Sequence, residues 1–235
     1  MNPLDLTRFS CLSFDCYGTL IDWEAGIEAA LRPVLARHEI SVERDALLAR
    51  FAGAETALEA GPYRPYREIL RDVLDEMGTA FGFQPSPAER DAFAGSVADW
   101  PAFADSGEAL RALGARYRLI VLSNIDDDLF AYSRAKLGAT FDAVFTAQRI
   151  GSYKPSPANF AYLVEHAGCP RGTILHVAQS LFHDIGPARD AGLATVWVNR
   201  RAGSSGFGAT PPASARPDLE VPSLGALAAL ASVPS

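Results

Sequence analysis

The amino-acid sequence predicts an α/β fold in which a parallel sheet is interrupted by an all-helical insert. Three observations predict it: apolar runs of strand length alternate with amphipathic segments in the second half of the chain, one apolar run precedes Asp15, and the segment between is helical throughout. Strands buried on both faces appear as continuous apolar runs. Their alternation with helices is typical of crossover units in a parallel sheet.

The strands are predicted in chain order from these apolar runs. The first spans residues 9–15 and ends in a turn at Gly18 and Thr19. Four further runs of strand length lie at residues 117–124, 141–147, 173–179 and 194–199. A segment with apolar residues at spacings of three and four precedes each of these four runs and predicts a helix.

The insert, residues 22–97, is predicted to be helical throughout. Gly61-Pro62 and a proline-rich turn at 84–87 separate its amphipathic stretches. An insert placed directly after a strand begins at the carboxyl end of that strand, where open α/β sheets bind ligands. We therefore predict a core domain formed by residues 1–21 and 98–235, with a helical cap domain above its site.

Composition limits the functions that the chain can have. Its 235 residues carry a net charge of −7 without a block of Lys and Arg, which argues against a nucleic-acid partner. No apolar run reaches the about 18 residues of a membrane span, and the N-terminus lacks a signal-peptide pattern. The odd number of cysteines, Cys11, Cys16 and Cys169, without CxxC spacing argues against a disulfide framework or a zinc knuckle. It fits a cytoplasmic location.

Polar residues stand at or after the ends of four predicted strands. They are Asp15, Ser123, Asn124, Lys154, Gln179, Ser180 and Asp184. The carboxyl ends of parallel strands share one edge of the sheet, so we expect these residues to converge on one crevice. Such a crevice would bind a small anionic substrate through local groups, because the overall charge repels it weakly.

Asp15 is the candidate nucleophile of this crevice. A carboxylate can attack carbon or phosphorus and form a covalent intermediate, although an Asp in this place also commonly caps a turn. Thr19 can donate a hydrogen bond to the Asp15 carboxylate, and Ser123 with Asn124 can present a hydroxyl and an amide to an anionic group. His183 is predicted to lie at the surface or at a helix start.

Four motifs occur in order along the chain: DCYGTL (15–20), VLSN (121–124), GSYKPSP (151–157) and AQSLFHDIGPARDAGL (178–193). Together they resemble the four motifs of the haloacid dehalogenase (HAD) superfamily, and the insert resembles its C1-type cap. The resemblance implies a Rossmann-like core and a homodimer formed through the cap. It also implies that Lys154 keeps Asp15 ionised, and that Asp184 orients Lys154 or a water for hydrolysis.

Position 17 separates two reactions of this superfamily. Its phosphatases place a second Asp two residues after the nucleophile, where it protonates the leaving alkoxide, and they bind Mg²⁺. Here that residue is Tyr17, and the D-x-Y-G-T loop resembles the type II L-2-haloacid dehalogenase branch. The resemblance implies attack by Asp15 on C2, departure of halide without a proton or a metal, and hydrolysis of the aspartyl ester. Tyr17 would line the apolar pocket, and Ser180 would contact the substrate.

The sequence differs from that branch at three places. The fourth motif has Gln179-Ser180-Leu181 instead of Ser-x-Asn, Phe160 replaces a Tyr, and Leu47 lies near the position of a halide-binding Arg, with Arg50 one turn away. Two alternatives therefore remain. One is a phosphatase of small phosphorylated metabolites with Mg²⁺ on Asp15 and Asp184, and the other is a catalytically weakened binding protein. The leading hypothesis, a 2-haloacid dehalogenase, requires no cofactor.

The run of three acids at 126–128 follows the second strand. It resembles a metal-binding loop, but its place just after Asn124 is more simply explained as a solvated helix start.

Overall fold

The fold was determined from a computed structural model that describes residues 4–203 and 206–232. Residues 1–3, 204–205 and 233–235 of the predicted core domain lie outside this part of the chain. Within the described residues, one sheet of six parallel strands has the order β3-β2-β1-β4-β5-β6. The strands are β1 (Cys11–Phe14), β2 (Arg118–Ser123), β3 (Ala143–Thr146), β4 (Ile174–Ala178), β5 (Ala194–Val198) and β6 (Leu219–Val221). The predicted α/β class is confirmed.

Helices precede and follow the strands as expected for crossover connections. They are α1 (Trp23–Arg37), α2 (Arg44–Glu59), α3 (Tyr66–Phe81), α4 (Pro87–Gly95), α5 (Ser106–Gly114), α6 (Asp127–Leu137), α7 (Ala147–Ile150), α8 (Pro157–His166), α9 (Gly186–Asp190) and α10 (Leu224–Ser232). We call α1–α4, which lie between β1 and β2, the cap. The domain boundaries at residues 22 and 97 stay a prediction.

Strand β1 is buried on both of its faces, as a central strand of a covered sheet must be. Its side chains alternate between the two faces. Leu12 and Phe14 belong to the large apolar cluster that continues into the cap, whereas Cys11 packs in the smaller cluster on the opposite face. The sheet and the cap therefore share one hydrophobic core.

The two chain connections between the core and the cap run side by side. The backbone N–H of Asp22 donates to the carbonyl of Pro101 (2.8 Å), and the N–H of Phe103 donates to the carbonyl of Leu20 (3.1 Å). These bonds pair backbone groups of the two connections at the junction. The chain thus leaves the core and returns to it at adjacent points.

Asp126 ties the cap to the core. Its carboxylate accepts hydrogen bonds from the backbone N–H groups of Tyr66 (2.8 Å) and Arg67 (3.1 Å), at the N-terminus of α3. A carboxylate is stabilised there because the first N–H groups of a helix have no partner within the helix. The prediction that this acidic run is solvated is wrong for Asp126, which is buried against the cap.

The cysteines correct another prediction. Cys11 of β1 and Cys169, which follows α8, form a disulfide with their Cα atoms 6.7 Å apart. Sequence spacing could not reveal this pair, because 158 positions separate the two residues and only the fold brings them together. Cys16 is buried as a free thiol. Across the described part of the chain, none of the helices is both long and apolar enough to span a bilayer.

Candidate active site

Asp15 lies one residue beyond β1, at the carboxyl edge of the sheet. The chain turns sharply after it at Gly18, whose φ of +91° belongs to a region that L-residues rarely adopt. A Cβ on Gly18 would also lie 3.0 Å from both Gln179 Oε1 and Trp23 Nε1. Glycine at this position lets the chain turn while Asp15 faces the cavity above the sheet.

Lys154 joins the first and fourth motifs at the centre of the site. Its Nζ donates to Asp15 Oδ1 (2.9 Å), Asp184 Oδ1 (2.6 Å) and the carbonyl of Leu122 (3.0 Å). An ammonium has three protons, so all of them are used. Burial alone would lower the pKa of Lys154, but the two carboxylates raise it above its usual value. The predicted contact between Lys154 and Asp15 is therefore present.

The second oxygen of Asp15 is held by Thr19. The Thr19 hydroxyl donates to Asp15 Oδ2 (2.6 Å) and accepts from the backbone N–H of Gln179 (2.8 Å). Burial raises the pKa of Asp15, and the charge of Lys154 followed by the Thr19 hydrogen bond opposes that rise. The carboxylate thus has one fixed orientation and two strong donors.

Asp184 occupies a π-helical turn, Leu181–Ile185, that follows β4. Its Oδ1 atom accepts from Lys154 and lies 3.0 Å from His176 Nε2, while His176 Nδ1 lies 2.8 Å from Ser13 Oγ. Burial opposes ionisation of Asp184, but Lys154 and His176 outweigh it and lower the pKa to about 2. The role of His176 was not predicted from the sequence, although a His within the apolar run of β4 was the available signal.

Asn124 has partners other than a substrate. Its side chain pairs with the backbone of Lys154, as Oδ1 accepts from the N–H (2.7 Å) and Nδ2 donates to the carbonyl (3.0 Å). The same Nδ2 donates to Glu59 Oε2 of the cap (2.9 Å). Asn124 therefore positions the Lys154 loop and links it to α2. Its neighbour Ser123 keeps an Oγ without a hydrogen-bond partner among the described residues.

The remaining predicted residues also lie at this edge. Ser180 Oγ accepts from the backbone N–H of His183 (2.8 Å) and so caps the π-helical turn. The Tyr17 hydroxyl lies 2.9 Å from Ser133 Oγ, and its ring packs edge-on against Trp100. His183 lies at a helix start, in the π-helical turn Leu181–Ile185, which is one of its two predicted places, but it is buried and not at the surface. Burial lowers its pKa to about 4.

These side chains surround a small cavity of about 30 Å³. All of the predicted site residues except Thr19, which lies behind Asp15, line it. Gln179 and His183 of the fourth motif also line it, and residues outside the motifs complete the lining: Trp23, Glu55, Glu59, Tyr66 and Thr210. An adjoining cleft of about 390 Å³ shares Glu59, Lys154 and His183 with the cavity.

Two glutamates of α2 form the cap side of the cavity. Glu55 and Glu59 are only 3% and 9% exposed, and the Tyr66 hydroxyl donates to Glu55 Oε1 at 2.5 Å. Burial raises the pKa of Glu55 to about 8, and burial together with the nearby Glu55 raises that of Glu59 well above its usual value. Their spacing of four and eight residues from the buried Phe51 was the sequence signal that could have found them.

Comparison with known proteins decides the family. The model of the haloacid dehalogenase-like hydrolases matches residues 9–192. The chain belongs to the haloacid dehalogenase-like hydrolase family. A related (S)-2-haloacid dehalogenase 4A of Burkholderia cepacia is 25% identical over 194 residues, which cover 80% of this chain and 82% of the relative.

A second relative and a solved structure are also similar to this haloacid dehalogenase-like chain. A 5-amino-6-(5-phospho-D-ribitylamino)uracil phosphatase of Escherichia coli is 27% identical over 228 residues, 84% of this chain and 87% of the relative. The crystal structure of a defluorinating L-2-haloacid dehalogenase is 24% identical, with a TM-score of 0.79 and 96% of each chain covered. The latter likeness supports the fold.

Within this family site, the structure places no arginine in the described cavity lining. Arg50, the nearest sequence candidate for a halide-binding residue, donates to the carbonyl and the carboxylate of Glu76 instead. Arg64 and Arg67 pair with Asp72 and Asp128, at 2.7 Å each. Lys154 is thus the one Lys or Arg among the described residues of the lining.

Proposed function

We propose that this hydrolase is a 2-haloacid dehalogenase that displaces halide from carbon through an aspartyl ester on Asp15. The observation that carries the proposal is a buried carboxylate, fixed by Lys154 and Thr19, with a tyrosine in place of an acid two residues later. Halide leaves as a stable anion and does not need that acid. Departure of an alkoxide would be about 10²–10⁴-fold slower without an acid to protonate it. The Burkholderia cepacia relative supports the same reaction.

In the first step, an Asp15 oxygen attacks C2 of the substrate and the carbon–halogen bond breaks with its electron pair on the halide. The rigid position of the carboxylate favours this step, because an oriented nucleophile loses little freedom on reaction. In the second step, water attacks the carboxyl carbon of the ester. Lys154 is placed to stabilise the oxyanion that forms on Oδ1, at 2.9 Å from that atom.

We propose that the reaction needs no metal ion. In the Mg²⁺ alternative, the ion would bind Asp15 and Asp184, but the Lys154 ammonium lies between these carboxylates and contacts both. Gln179 contributes no charge, and no group of three or more His, Cys, Asp or Glu side chains within the described ranges can hold a metal. Mg²⁺ prefers anionic oxygens in octahedral geometry, so these residues do not fit it.

A single-turnover reaction in H₂¹⁸O tests the proposal. With enzyme in excess over 2-chloropropionate, we expect a hydroxy acid whose new oxygen is unlabelled, because that oxygen comes from Asp15. Peptide mass spectrometry should then find the ¹⁸O label on Asp15. D15N should release no halide, whereas D190N, a change on the exposed end of α9, should match the wild type. Labelled product in the first turnover would contradict the aspartyl ester.

The phosphatase alternative rests on the Escherichia coli relative. It predicts hydrolysis of p-nitrophenyl phosphate with Mg²⁺ and loss of that activity with EDTA, whereas the dehalogenase keeps its halide release in EDTA. Absence of both activities from a folded protein would favour the binding-protein alternative.

A further inference from the structure

The proposed reaction releases a halide anion into a cavity that has little free positive charge to stabilise it. Departing halide enters a space in which Lys154 is the one described side chain with a fixed positive charge, and its three protons already bind Asp15, Asp184 and Leu122. His183 is neutral near pH 7, because burial lowers its pKa to about 4. The leaving group therefore has to be stabilised by neutral hydrogen-bond donors.

The cap side of the cavity supplies carboxyl groups in that role. Glu55 and Glu59 lie one turn apart on α2, both buried and both in the cavity lining. Two adjacent buried carboxylates repel each other and lose hydration, so the protonated form is favoured. The raised pKa of each group agrees with this placement.

Glu59 is the one of the two that is linked through Asn124 to the loop carrying Lys154. Asn124 Nδ2 donates to Glu59 Oε2 (2.9 Å) and to the carbonyl of Lys154 (3.0 Å). One amide group thus links the Glu59 carboxyl of the cap to the Lys154 loop. Glu55 is held from the other side by Tyr66. Asp15 and both glutamates line the same cavity of about 30 Å³.

Two further atoms indicate that this wall faces a ligand. Ser123 Oγ and His183 Nε2 are buried and have no hydrogen-bond partner among the described residues, and both side chains line the same cavity. Ser123 is 1% exposed and His183 is 8% exposed. Unpaired buried polar atoms are costly, and a polar molecule in the cavity would satisfy them.

We propose that Glu59, which the cap brings into the site, is the acid that hydrogen-bonds to and protonates the departing group, so that the site accepts basic leaving groups such as fluoride. Glu55 is a positioning residue one turn from Glu59, and its charge, once it ionises at alkaline pH, raises the pKa of Glu59 further. This inference rests on the proposed attack of Asp15 on carbon. It supplies from the cap the acid that Tyr17 does not provide.

The step balances in atoms and charge. Asp15 forms a bond to C2 while the C–F bond breaks, and fluoride takes the Glu59 proton and leaves as hydrogen fluoride. Water then attacks the carboxyl carbon of the aspartyl ester, the ester oxygen that came from Asp15 leaves with one proton as the hydroxyl of the product, and Asp15 regains its charge. The second proton of that water returns to Glu59.

Paired substrates give the test. We expect the wild type to release halide from both 2-fluoropropionate and 2-chloropropionate. E59Q should lower kcat/KM for the fluoride by about 10²-fold or more, since general acid catalysis contributes about 10²–10⁴-fold, and for the chloride by less than about 10-fold. E55Q should shift the alkaline limit of fluoride release to a lower pH, because the charge that raises the pKa of Glu59 is removed. E68Q, on the exposed face of α3, should leave both rates unchanged.

A second measurement does not depend on activity. Infrared spectra of the wild type at neutral pH should contain a protonated-carboxyl band that weakens in E59Q and in E55Q, with the fold checked by circular dichroism. The charged and titratable groups facing this pair are Asp15, Lys154, Asp184 and His183 from the core, with Tyr66 and Tyr153.

The outcomes separate the two proposals. Chloride release without fluoride release, an equal loss of both activities in E59Q, or absence of the protonated-carboxyl band would overturn the role of Glu59 while the dehalogenase remains. Failure to release either halide, together with no label on Asp15, would overturn both.

Discussion

Lys154 is the single residue on which the charge balance of the site depends. It lies between the buried carboxylates Asp15 and Asp184 and satisfies an oxygen of each. The gain from such an interaction offsets the desolvation of three charged groups only while all of them are present. Replacing the amine would therefore affect both folding and chemistry.

We expect K154M to lower the free energy of unfolding by about 3–5 kcal/mol, as measured in removals of one partner of a buried ion pair. One of the two carboxyl groups should take up a proton at neutral pH, and halide release should fall to background. Urea unfolding and halide release measure the two effects. K136M, which changes an exposed lysine of α6, serves as the control, and equal stability of the two variants would contradict the expectation.

Residues in the motifs were predictable from sequence because strand ends place them at one edge. Asp15, Ser123 and Lys154 illustrate this, since each lies at or soon after the end of a strand. Glu55 was not predicted, because a glutamate in a helix is ordinarily solvated, and its burial depends on the packing of α2 over the sheet. Asn124 was assigned to substrate, but the structure pairs it with the Lys154 backbone.

At the level of elements, α3 begins on a carboxylate from the core. Asp126 binds the N–H groups of Tyr66 and Arg67, and this replaces a cap residue from the helix's own chain segment, where Pro65 offers no side-chain hydrogen bond. The start of a cap helix is thus fixed by a residue that follows β2.

We expect D126A to cost about 0.5–2 kcal/mol, the range for loss of a helix N-cap. Hydrogen exchange should increase at the first turn of α3, because its N–H groups lose their acceptor. D128N is the matched control, since Asp128 is an exposed member of the same acidic run and pairs with the Arg67 side chain. Exchange rates at α3 that do not differ between the two variants would contradict the proposed link.

Helix α2 makes the stability of the protein depend on pH. The pKa of Glu55 is raised by burial to about 8, so the folded state binds the proton more tightly than the unfolded state. This contribution to stability is complete below the unfolded pKa and is lost as pH rises toward about 8, by at most about 1.4 kcal/mol per pH unit.

We therefore expect the free energy of unfolding of the wild type to fall relative to that of E55Q between about pH 5 and pH 8. Urea titrations at several pH values measure the difference. Parallel curves for the two proteins would show that Glu55 ionises in the folded state as readily as in the unfolded chain.

The existence of most elements was predictable, and their fine structure was not. Each of the strands β1–β5 falls inside its predicted apolar run, since burial on both faces produces that run. The π-helical turn, Leu181–Ile185, has no such signal. It depends on the position of Asp184 beside Lys154 and His176, which is a tertiary requirement.

For the molecule as a whole, the Cys11–Cys169 disulfide connects the central strand to the segment after α8. It closes a loop of 158 residues that contains the entire cap. In the chain-entropy account, closing a loop of this length lowers the conformational entropy of the unfolded state and so raises its free energy by about 5 kcal/mol.

We expect a reducing agent to lower the melting temperature of the wild type and to leave that of C169S unchanged. The wild type with reductant and C169S should melt at similar temperatures. Mass spectrometry should confirm that both thiols of the reduced wild type can be alkylated. If the melting temperature is then unchanged by reductant, the disulfide does not contribute to stability.

The strand order β3-β2-β1-β4-β5-β6 was beyond the reach of the sequence. Apolar runs indicate that strands are parallel and covered, but pairing joins residues far apart in the chain, such as Phe14 with Val121 and with Val177. The cysteine pair was missed for the same reason. Patterns along a chain report local periodicity and contain little information on which distant segments meet.

The adjacent core–cap connections have a consequence for how such a protein can change. Because Leu20 and Phe103 are already hydrogen-bonded neighbours, the whole cap over Asp15 could be replaced by another insert without separating any strands of the sheet. The inserted segment could therefore evolve more freely than the strands, provided that its contacts with Asn124 and Asp126 are kept or replaced.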